Sequence, residues 1–167
     1  MARTVELVKA DVELFNERQG QPSMDLDFTI RAQWTGVGQD GEGVMHIGQD
    51  EFKFSAPVSM GGKGAGASPE DLLLAAVTAC YSGTFMRVSR HAGLSVESVS
   101  VTTEGVVKGF PTNAKFAAIT VNPTIKGADP IRQKEYEKTA RFARDRCFIG
   151  RTVRDYLDYR VGKVSLQ

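Results

Sequence analysis

The sequence is poor in the residues that indicate metal sites, disulfide scaffolds or strong electrostatics. Its 167 residues include two cysteines, two histidines and one tryptophan. Lysine and arginine number 21, aspartate and glutamate number 20, and the net charge is +1. With so small a net charge the protein has no strong electrostatic field to attract nucleic acid or an anionic membrane, so we expect neither as a partner.

We also recognise no signal peptide, internal repeat or low-complexity tract in the sequence. The N-terminus has no apolar core of a signal peptide, and no stretch reads as long enough to span a bilayer. We therefore expect a cytoplasmic protein, a setting in which structural disulfides are rare. Two cysteines in such a protein are often buried apolar side chains, so any chemistry has to be argued from their context.

The first part of the chain predicts short strands. Residues 25–34 alternate between apolar and polar, which places Leu26, Phe28 and Ile30 on one face. The weaker strand candidates, of which the first could also be a helix, are residues 4–14, 44–48 and 51–56.

A long apolar helix is predicted to begin after Ser68. Ser68 suits the N-cap, Pro69 suits the first helical position, and Glu70 favours the positive end of the helix dipole. Gly93 is a natural stop. Because the helix is apolar on nearly every side, we expect it to be central and covered by other elements.

The second half of the chain predicts a hairpin, two helices and a strand. Residues 96–107 and 115–125 read as long antiparallel strands, and Asp129 with Pro130 opens a second helix that ends at Cys147. A short helix at 149–156 and a strand at 158–165 follow. Strands, then helix, hairpin, helices and strand form an α+β order, and the length suggests one domain.

A glycine run before the long helix resembles a phosphate-binding loop only superficially. A nucleotide P-loop needs Gly-Lys-Ser/Thr, and Lys63 is followed by Gly64. The even spacing of Gly62, Gly64 and Gly66 also differs from the dinucleotide fingerprint. The run is better interpreted as a loop that lets the helix enter at an awkward angle.

Two cysteine motifs resemble those of the OsmC/Ohr family, which comprises osmotically inducible protein C and the organic hydroperoxide resistance proteins. The first motif is Ser-Pro-Glu-Asp-Leu-Leu-Leu-Ala-Ala-Val-Thr-Ala-Cys, ending at Cys80. The second is Arg-Cys-Phe-Ile-Gly-Arg-Thr-Val around Cys147, and the hairpin and helix between the two motifs also fit.

The resemblance implies an OsmC-like fold, with antiparallel sheets wrapped around a long central apolar helix in an intertwined homodimer. It covers residues 25–165, so residues 25–167 are interpreted as a single OsmC-like domain. Residues 1–24 then form an N-terminal extension.

The resemblance also implies a function in the response to oxidative stress. Members of the family that are peroxidases reduce organic hydroperoxides, and Cys80 matches their peroxidatic cysteine while Cys147 matches the resolving one. Glu70 matches an orienting acid. No cofactor is implied to be bound; an external dithiol electron donor of the lipoyl type restores the thiols.

A reactive Cys80 needs a cation nearby. The attacking species is the thiolate, burial disfavours it, and the helix dipole fades within the first turn. The arginine that the resemblance implies has no counterpart: Gln39 stands in the early turn, and residues 56–60 contain none. Arg87, seven residues after Cys80 and on the same helix face, is the first candidate. The other candidates are Arg31, Arg146 and Arg151.

Alternative interpretations stay open at this point. The same scaffold without an efficient cation could be a redox sensor or a carrier of apolar ligands. Glu70 has a purely structural interpretation as an acid near a helix start, and His91 has one as a cation near the helix end. His46 and His91 with the two cysteines do not have the spacing of a zinc site, so we expect no bound metal.

Overall fold

The computed structural model describes residues 24–167. The strand candidate at 4–14 and nearly all of the predicted extension at 1–24 lie outside the described residues. The boundary between extension and domain therefore stays a prediction.

The described chain forms two sheets and three α-helices, which confirms the α+β class. The first sheet contains β1 (Arg31–Thr35), β2 (Glu42–Ile47) and β3 (Asp50–Phe54). The second contains β4 (Ser98–Lys108), β5 (Lys115–Lys126), β6 (Asp158–Val161) and β7 (Ser165–Leu166). The helices are α1 (Pro69–His91), α2 (Gln133–Arg146) and α3 (Phe148–Arg154).

Helix α1 begins and ends where the sequence predicts. The Ser68 hydroxyl accepts a hydrogen bond from the Asp71 amide at 3.1 Å, and the Asp71 carboxylate accepts one from the Ser68 amide at 2.9 Å. The Asp71 carboxylate also accepts a hydrogen bond from the Ser68 hydroxyl at 2.8 Å, and the two bonds from the Ser68 amide and hydroxyl lower the pKa of Asp71. A capping box of this kind stabilises a helix by about 1 kcal/mol. At the other end Gly93 has φ of +60°, a conformation that glycine adopts without strain.

One face of α1 is buried and the opposite face is open. Val77, Tyr81 and Phe85 are fully buried and belong to the core cluster. The small residues on the other side are exposed, namely Ala75, Ala76, Ala79 and Gly83. Other elements of the chain cover the sides of α1 that carry its larger apolar residues and leave this stripe of small residues uncovered.

Helix α1 is long and apolar enough to cross a membrane by length and composition. The expectation that no stretch has such a length is therefore wrong. The helix nevertheless supplies its larger apolar side chains to the buried core beside β5 and α2. A helix in the core of a folded domain meets the same criteria of length and composition. Because α1 packs in the core cluster, it is part of the folded domain.

The hairpin of β4 and β5 is the layer against which α1 packs. The strands pair antiparallel from Ser98 opposite Lys126 to Lys108 opposite Lys115, as predicted. Side chains on one face of β5 are fully buried, among them Ile119, Val121 and Ile125. Burying each of these side chains contributes about 2 kcal/mol, so this face is a large part of the core.

The second sheet is mixed, whereas the sequence predicts antiparallel sheets. Strand β6 pairs with β5 in parallel, with Ile119 opposite Tyr159, and β7 also pairs with β5 in parallel. The difference follows from the connection: the chain leaves β5, passes through α2 and α3 and returns in the same direction, as parallel pairing requires.

The strand predicted at residues 25–34 forms only from Arg31 onward. Residues 24–30 have no strand partner within the described chain, although their apolar residues alternate. Leu26, Phe28 and Ile30 are 66%, 85% and 58% exposed. An alternating pattern indicates which side chains share one face of a strand. A strand also needs a neighbouring strand to pair with, and the pattern does not show whether one is present.

Candidate active site

Cys80 lies at the middle of α1 and is half-buried. It stands about 18 Å along the helix from Ser68, too far for the N-terminal dipole to act. Thr78, two residues before Cys80, holds this part of the helix against β4. Its hydroxyl donates to the Leu74 carbonyl at 2.7 Å and lies 2.6 Å from the Thr103 hydroxyl.

Cys147 occupies the junction between α2 and α3 and is fully buried. Its amide donates to the Ala143 carbonyl at 2.9 Å, which completes the last turn of α2. Its sulfur accepts a hydrogen bond from the Gly150 amide at 3.3 Å, which caps α3. Backbone groups therefore hold Cys147 on both sides, one through its amide and one through its sulfur.

The side chains of Cys80 and Cys147 contact each other although they are far apart in the chain. Burial raises the pKa of Cys147, and a hydrogen bond with the Cys80 side chain raises it further. Both residues are free cysteines. Helices α1, α2 and α3 pack against one another and bring them together.

Two tyrosines beside the cysteine pair were not identified from the sequence. Burial raises the pKa of Tyr81 and of Tyr159, and the charge of a Cys147 thiolate would raise both further. The Tyr81 hydroxyl donates to the Ala140 carbonyl at 3.3 Å. The Tyr159 hydroxyl is buried and has no partner among the described residues. Only the position of Tyr81 directly after Cys80 could have signalled its place at the site.

A cavity of about 300 Å³ opens at Cys80. Its walls combine small, apolar and cationic side chains: Ala79, Cys80, Gly83, Thr84, Arg87, Arg146 and Phe148. The small residues leave room above the sulfur, and Phe148 adds an aromatic wall. This composition suits an organic molecule more than a small inorganic one.

The structure places two of the four candidate cations at this cavity. Arg87 and Arg146 line it. The Arg146 guanidinium also lies over the Phe142 ring, 5.0 Å from its centre. Arg31 on β1 and Arg151 on α3 are exposed and do not line the cavity.

Glu70 is not brought to Cys80 within one chain. It lies in the first turn of α1, about 15 Å along the helix from Cys80. One of its carboxylate oxygens is buried and has no hydrogen-bond partner among the described residues. A buried carboxylate oxygen without a donor is costly, so its partner is expected to come from another group.

The remaining predicted features lie away from the cysteine pair. Gln39 lies beside Gly61, a residue of the glycine-rich loop. A methyl group added at Gly61 would lie 3.1 Å from the side-chain amide nitrogen of Gln39. That loop is tied to β3 by hydrogen bonds such as Ala67 amide to Lys53 carbonyl at 3.0 Å. Within residues 24–167, no group of three or more histidine, cysteine or acidic side chains is placed to hold a metal ion.

The geometry permits thiol chemistry at Cys80. Disulfide formation requires two sulfurs that can reach bonding distance, and the side chains of Cys80 and Cys147 lie close enough to interact. Cys80 is the sulfur that faces the cavity, whereas Cys147 is sealed behind it. A ligand in the cavity therefore meets Cys80 first and Arg87 beside it.

Comparison with known proteins places the chain in a family. A family sequence model described as OsmC-like protein matches residues 62–160, a range that contains both cysteines. The uncharacterized protein YmaD of Bacillus subtilis is 27% identical over 146 residues, which cover 86% of this chain and 92% of YmaD.

Solved structures agree with that match. The organic hydroperoxide resistance protein OsmC of Legionella pneumophila superposes with a TM-score of 0.67 at 25% identity, covering 84% of this chain and 99% of its own. The organic hydroperoxide resistance protein OhrB of Bacillus subtilis shares the fold, with a TM-score of 0.59 at 20% identity over 84% of this chain and 98% of its own. The chain belongs to the family of OsmC-like proteins, which includes the organic hydroperoxide resistance proteins.

Proposed function

We propose that this protein is a thiol-dependent peroxidase that reduces organic hydroperoxides through Cys80 and Cys147. The observation that carries the proposal is the contact between the two thiols, with Cys80 alone facing a cavity lined by Arg87 and Phe148. The names of relatives such as the Legionella pneumophila hydroperoxide resistance protein support the substrate class.

The reaction begins at the exposed sulfur. The Cys80 thiolate attacks the terminal oxygen of the hydroperoxide, so that a sulfur–oxygen bond forms and the oxygen–oxygen bond breaks. The leaving alkoxide takes a proton and departs as an alcohol, and Cys80 becomes a sulfenic acid. Cys147 then attacks that sulfur, a disulfide forms, and the sulfenic oxygen leaves as water with the Cys147 proton.

An external dithiol completes the cycle. Two thiol–disulfide exchanges return Cys80 and Cys147 to thiols while the donor is oxidised to a disulfide. We propose a lipoyl-type donor and a cytoplasmic location, where such dithiols are kept reduced. Cys147 is fully buried, so the donor has to attack at Cys80.

Arg87 is proposed as the cation that favours the attacking thiolate. It lines the cavity with Cys80, and an arginine beside a cysteine is one of the environments that activate the sulfur. Arg146 lines the same cavity but is also engaged with the Phe142 ring. Arg87 is therefore the stronger candidate.

A homodimer is proposed as the working unit. The exposed small residues of α1 and the exposed apolar side chains of residues 24–34 form faces that a second copy would cover. Glu70 is proposed to act as an orienting acid at the site of the other subunit, since it lies too far from Cys80 in its own.

The test is peroxide consumption by the purified protein. With dihydrolipoamide as reductant, we expect the wild-type chain to reduce cumene hydroperoxide catalytically and Cys80→Ser to abolish the reaction. Cys147→Ser should permit a single turnover that stops at the sulfenic acid, detected by intact mass. Ser98→Ala, an exposed change on β4, is the matched control. Consumption by Cys80→Ser at the wild-type rate would overturn the proposal.

A redox sensor is the second candidate function. One observation favours it: Gln39, which stands where the family resemblance implies an arginine, lies beside Gly61 in the glycine-rich loop. A sensor would form the Cys80–Cys147 disulfide stoichiometrically with peroxide but would not turn over with dithiol.

A further inference from the structure

The hydroxyl of Tyr159 is a buried polar group beside the cysteine pair that the proposed reaction does not yet use. Tyr159 is 5% exposed, and its hydroxyl oxygen is buried without a hydrogen-bond partner in the described chain. Two other buried tyrosines differ: the Tyr81 hydroxyl donates to the Ala140 carbonyl at 3.3 Å, and the Tyr136 hydroxyl donates to the Ser95 carbonyl at 2.6 Å. A buried hydroxyl without a partner costs stability, so its presence needs a reason.

The acceptor for this hydroxyl has to arise within the chain. The hydroxyl oxygen is enclosed by residues of its own chain, so a second copy cannot reach it. A group that becomes a good acceptor only during the reaction would leave the hydroxyl unpaired in the reduced, resting protein.

The Tyr159 ring and the Cys147 sulfur both adjoin Gly150. The ring carbon that bears the hydroxyl would lie 3.0 Å from a methyl group added at Gly150, and the Gly150 amide donates to the Cys147 sulfur at 3.3 Å. The charge of a Cys147 thiolate would raise the pKa of Tyr159, which agrees with a phenol close to this sulfur. The Arg144 guanidinium donates to the Tyr159 carbonyl at 3.4 Å and holds its backbone in place.

Cys147 gains hydrogen-bonding strength during the proposed cycle. Burial raises its pKa, so in the resting protein it is a thiol, which is a weak acceptor. The dithiol donor attacks at Cys80, which faces the cavity, so Cys147 is the sulfur that the disulfide expels. It leaves as a thiolate at a fully buried position. A buried anion is costly unless hydrogen-bond donors meet it.

We propose that the Tyr159 hydroxyl donates a hydrogen bond to the Cys147 sulfur as that sulfur leaves the disulfide, and thereby accelerates reduction by the dithiol. The Gly150 amide is a second donor to the same sulfur. Burial raises the pKa of Tyr159, so the hydroxyl keeps its proton while it donates. This inference rests on the proposed function and concerns its reductive half.

The step is a thiol–disulfide exchange. A donor thiolate forms a bond to the Cys80 sulfur, the bond between Cys80 and Cys147 breaks, and its electron pair leaves on Cys147. The second donor thiol then attacks the donor sulfur of the mixed disulfide, and Cys80 leaves as a thiolate. The proton of that second donor thiol ends on Cys147.

The first test is reduction of the preformed disulfide by dihydrolipoamide. Diamide forms the Cys80–Cys147 disulfide without any peroxide, and reduction is followed by alkylation and intact mass. We expect Tyr159→Phe to be reduced about three- to tenfold more slowly at pH 7, because a hydrogen bond to the partly charged leaving sulfur is lost. The matched control is Tyr136→Phe, a buried tyrosine about 16 Å along α2 from Cys147, which should be reduced at the wild-type rate.

Stability and redox potential separate this role from a structural one. Because the Tyr159 hydroxyl has no partner among the described residues, reduced Tyr159→Phe should unfold at the urea concentration of the wild type or higher. Tyr136→Phe loses hydrogen bonds with the Ser95 carbonyl and the Asp129 amide and should unfold at lower urea. The dithiol–disulfide potential of Tyr159→Phe at pH 7 should equal that of the wild type, since Cys147 is uncharged in both end states.

Several results would count against the inference and leave the peroxidase proposal standing. They are reduction of Tyr159→Phe at the wild-type rate or faster, and equal slowing in Tyr136→Phe. Slower reduction of Tyr159→Phe together with a lower unfolding midpoint or a changed potential would assign the residue a structural role instead.

The peroxidase proposal fails by different results. If cumene hydroperoxide is not consumed but the disulfide kinetics are as expected, the peroxidase is overturned and the role of Tyr159 is retained. If diamide forms no Cys80–Cys147 disulfide in the wild-type protein, both proposals are overturned.

Discussion

Cys80 and Cys147 have the same side chain and opposite surroundings. Cys80 is half-buried and faces a cavity, whereas Cys147 is fully buried and accepts a hydrogen bond from the Gly150 amide. Burial raises the pKa of Cys147 and keeps it a thiol. These surroundings suit Cys80 to the first, attacking step of the proposed reaction and Cys147 to the second step.

The raised pKa of Cys147 predicts a loss of stability at alkaline pH. Its ordinary value is 9.0, so the unfolded chain ionises first as pH rises. The stability contribution is complete below about pH 9 and is lost as pH rises toward the folded-state pKa. We expect the free energy of unfolding of the reduced protein, measured in urea, to fall by at most about 1.4 kcal/mol per pH unit from this group.

Cys147→Ser isolates that contribution, because serine does not ionise in this range. The variant should lack the part of the fall that begins near pH 9, while Cys80→Ser keeps the buried thiol and retains it. Tyr81 and Tyr159, whose pKa values are also raised by burial, add a fall of the same sign above about pH 10 in every variant. Identical curves for wild type and Cys147→Ser between about pH 8 and 10 would contradict the assignment.

Arg87 should control the reactivity of Cys80. We expect Arg87→Gln to slow alkylation of Cys80 by iodoacetamide at pH 7 severalfold, because removal of a neighbouring cation reduces the thiolate fraction. The rate is followed by intact mass. Arg141→Gln, remote from the cavity, is the control and should react at the wild-type rate. An unchanged rate in Arg87→Gln would assign the stabilising role to another group.

At the scale of elements, the position of Cys147 depends on the contact between α3 and β6. Gly150 of α3 lies against the ring of Tyr159 of β6, and a methyl at Gly150 would approach Tyr159 Cε1 to 2.3 Å. The Gly150 amide is also the donor to the Cys147 sulfur. The contact between the two elements therefore sets the position of Cys147.

Gly150→Ala should disturb this contact. We expect the free energy of unfolding in urea to fall by about 1–3 kcal/mol, the cost of overpacking a buried contact. Ser98→Ala, at an exposed position of β4, is the control and should change stability by less than about 0.5 kcal/mol. Equal effects at the two positions would show that the Tyr159 ring moves aside without cost.

At the scale of the whole molecule, a single chain leaves apolar surface uncovered. The exposed face of α1 carries Ala75, Ala76 and Ala79, and residues 24–30 expose Leu26 and Phe28. Small residues on an exposed helix face let a second helix approach closely. Together these surfaces are consistent with the proposed homodimer.

Sedimentation should give a particle of twice 18.2 kDa for the wild-type protein. Ala76→Arg places a long charged side chain on the small-residue face, and we expect it to shift the protein to monomer or to weaken the dimer strongly. Ala114→Arg, the same change in the exposed hairpin loop, should leave the mass unchanged. A wild-type monomer, or a dimer unaffected by Ala76→Arg, would contradict this packing.

Local sequence signals predicted individual elements well. Ser68, Pro69 and Gly93 mark the ends of α1 in the sequence and in the structure, because caps depend on neighbouring backbone groups. The content of valine, threonine and isoleucine, with the turn residues between them, predicted β4 and β5 for the same local reason. The cysteine motifs indicated the family, and the family match confirms it.

What depended on distant parts of the chain was decided only by the tertiary structure. The parallel pairing of β6 and the place of Tyr159 beside Cys147 arise from contacts between segments far apart in sequence, and residues 24–30 have no strand partner within the described chain. The sequence alone determined which residues could form each helix and strand, because those choices are local. Whether two thiols meet, and whether an arginine lines the cavity at one of them, depends on how the helices pack, and no local pattern encodes that arrangement.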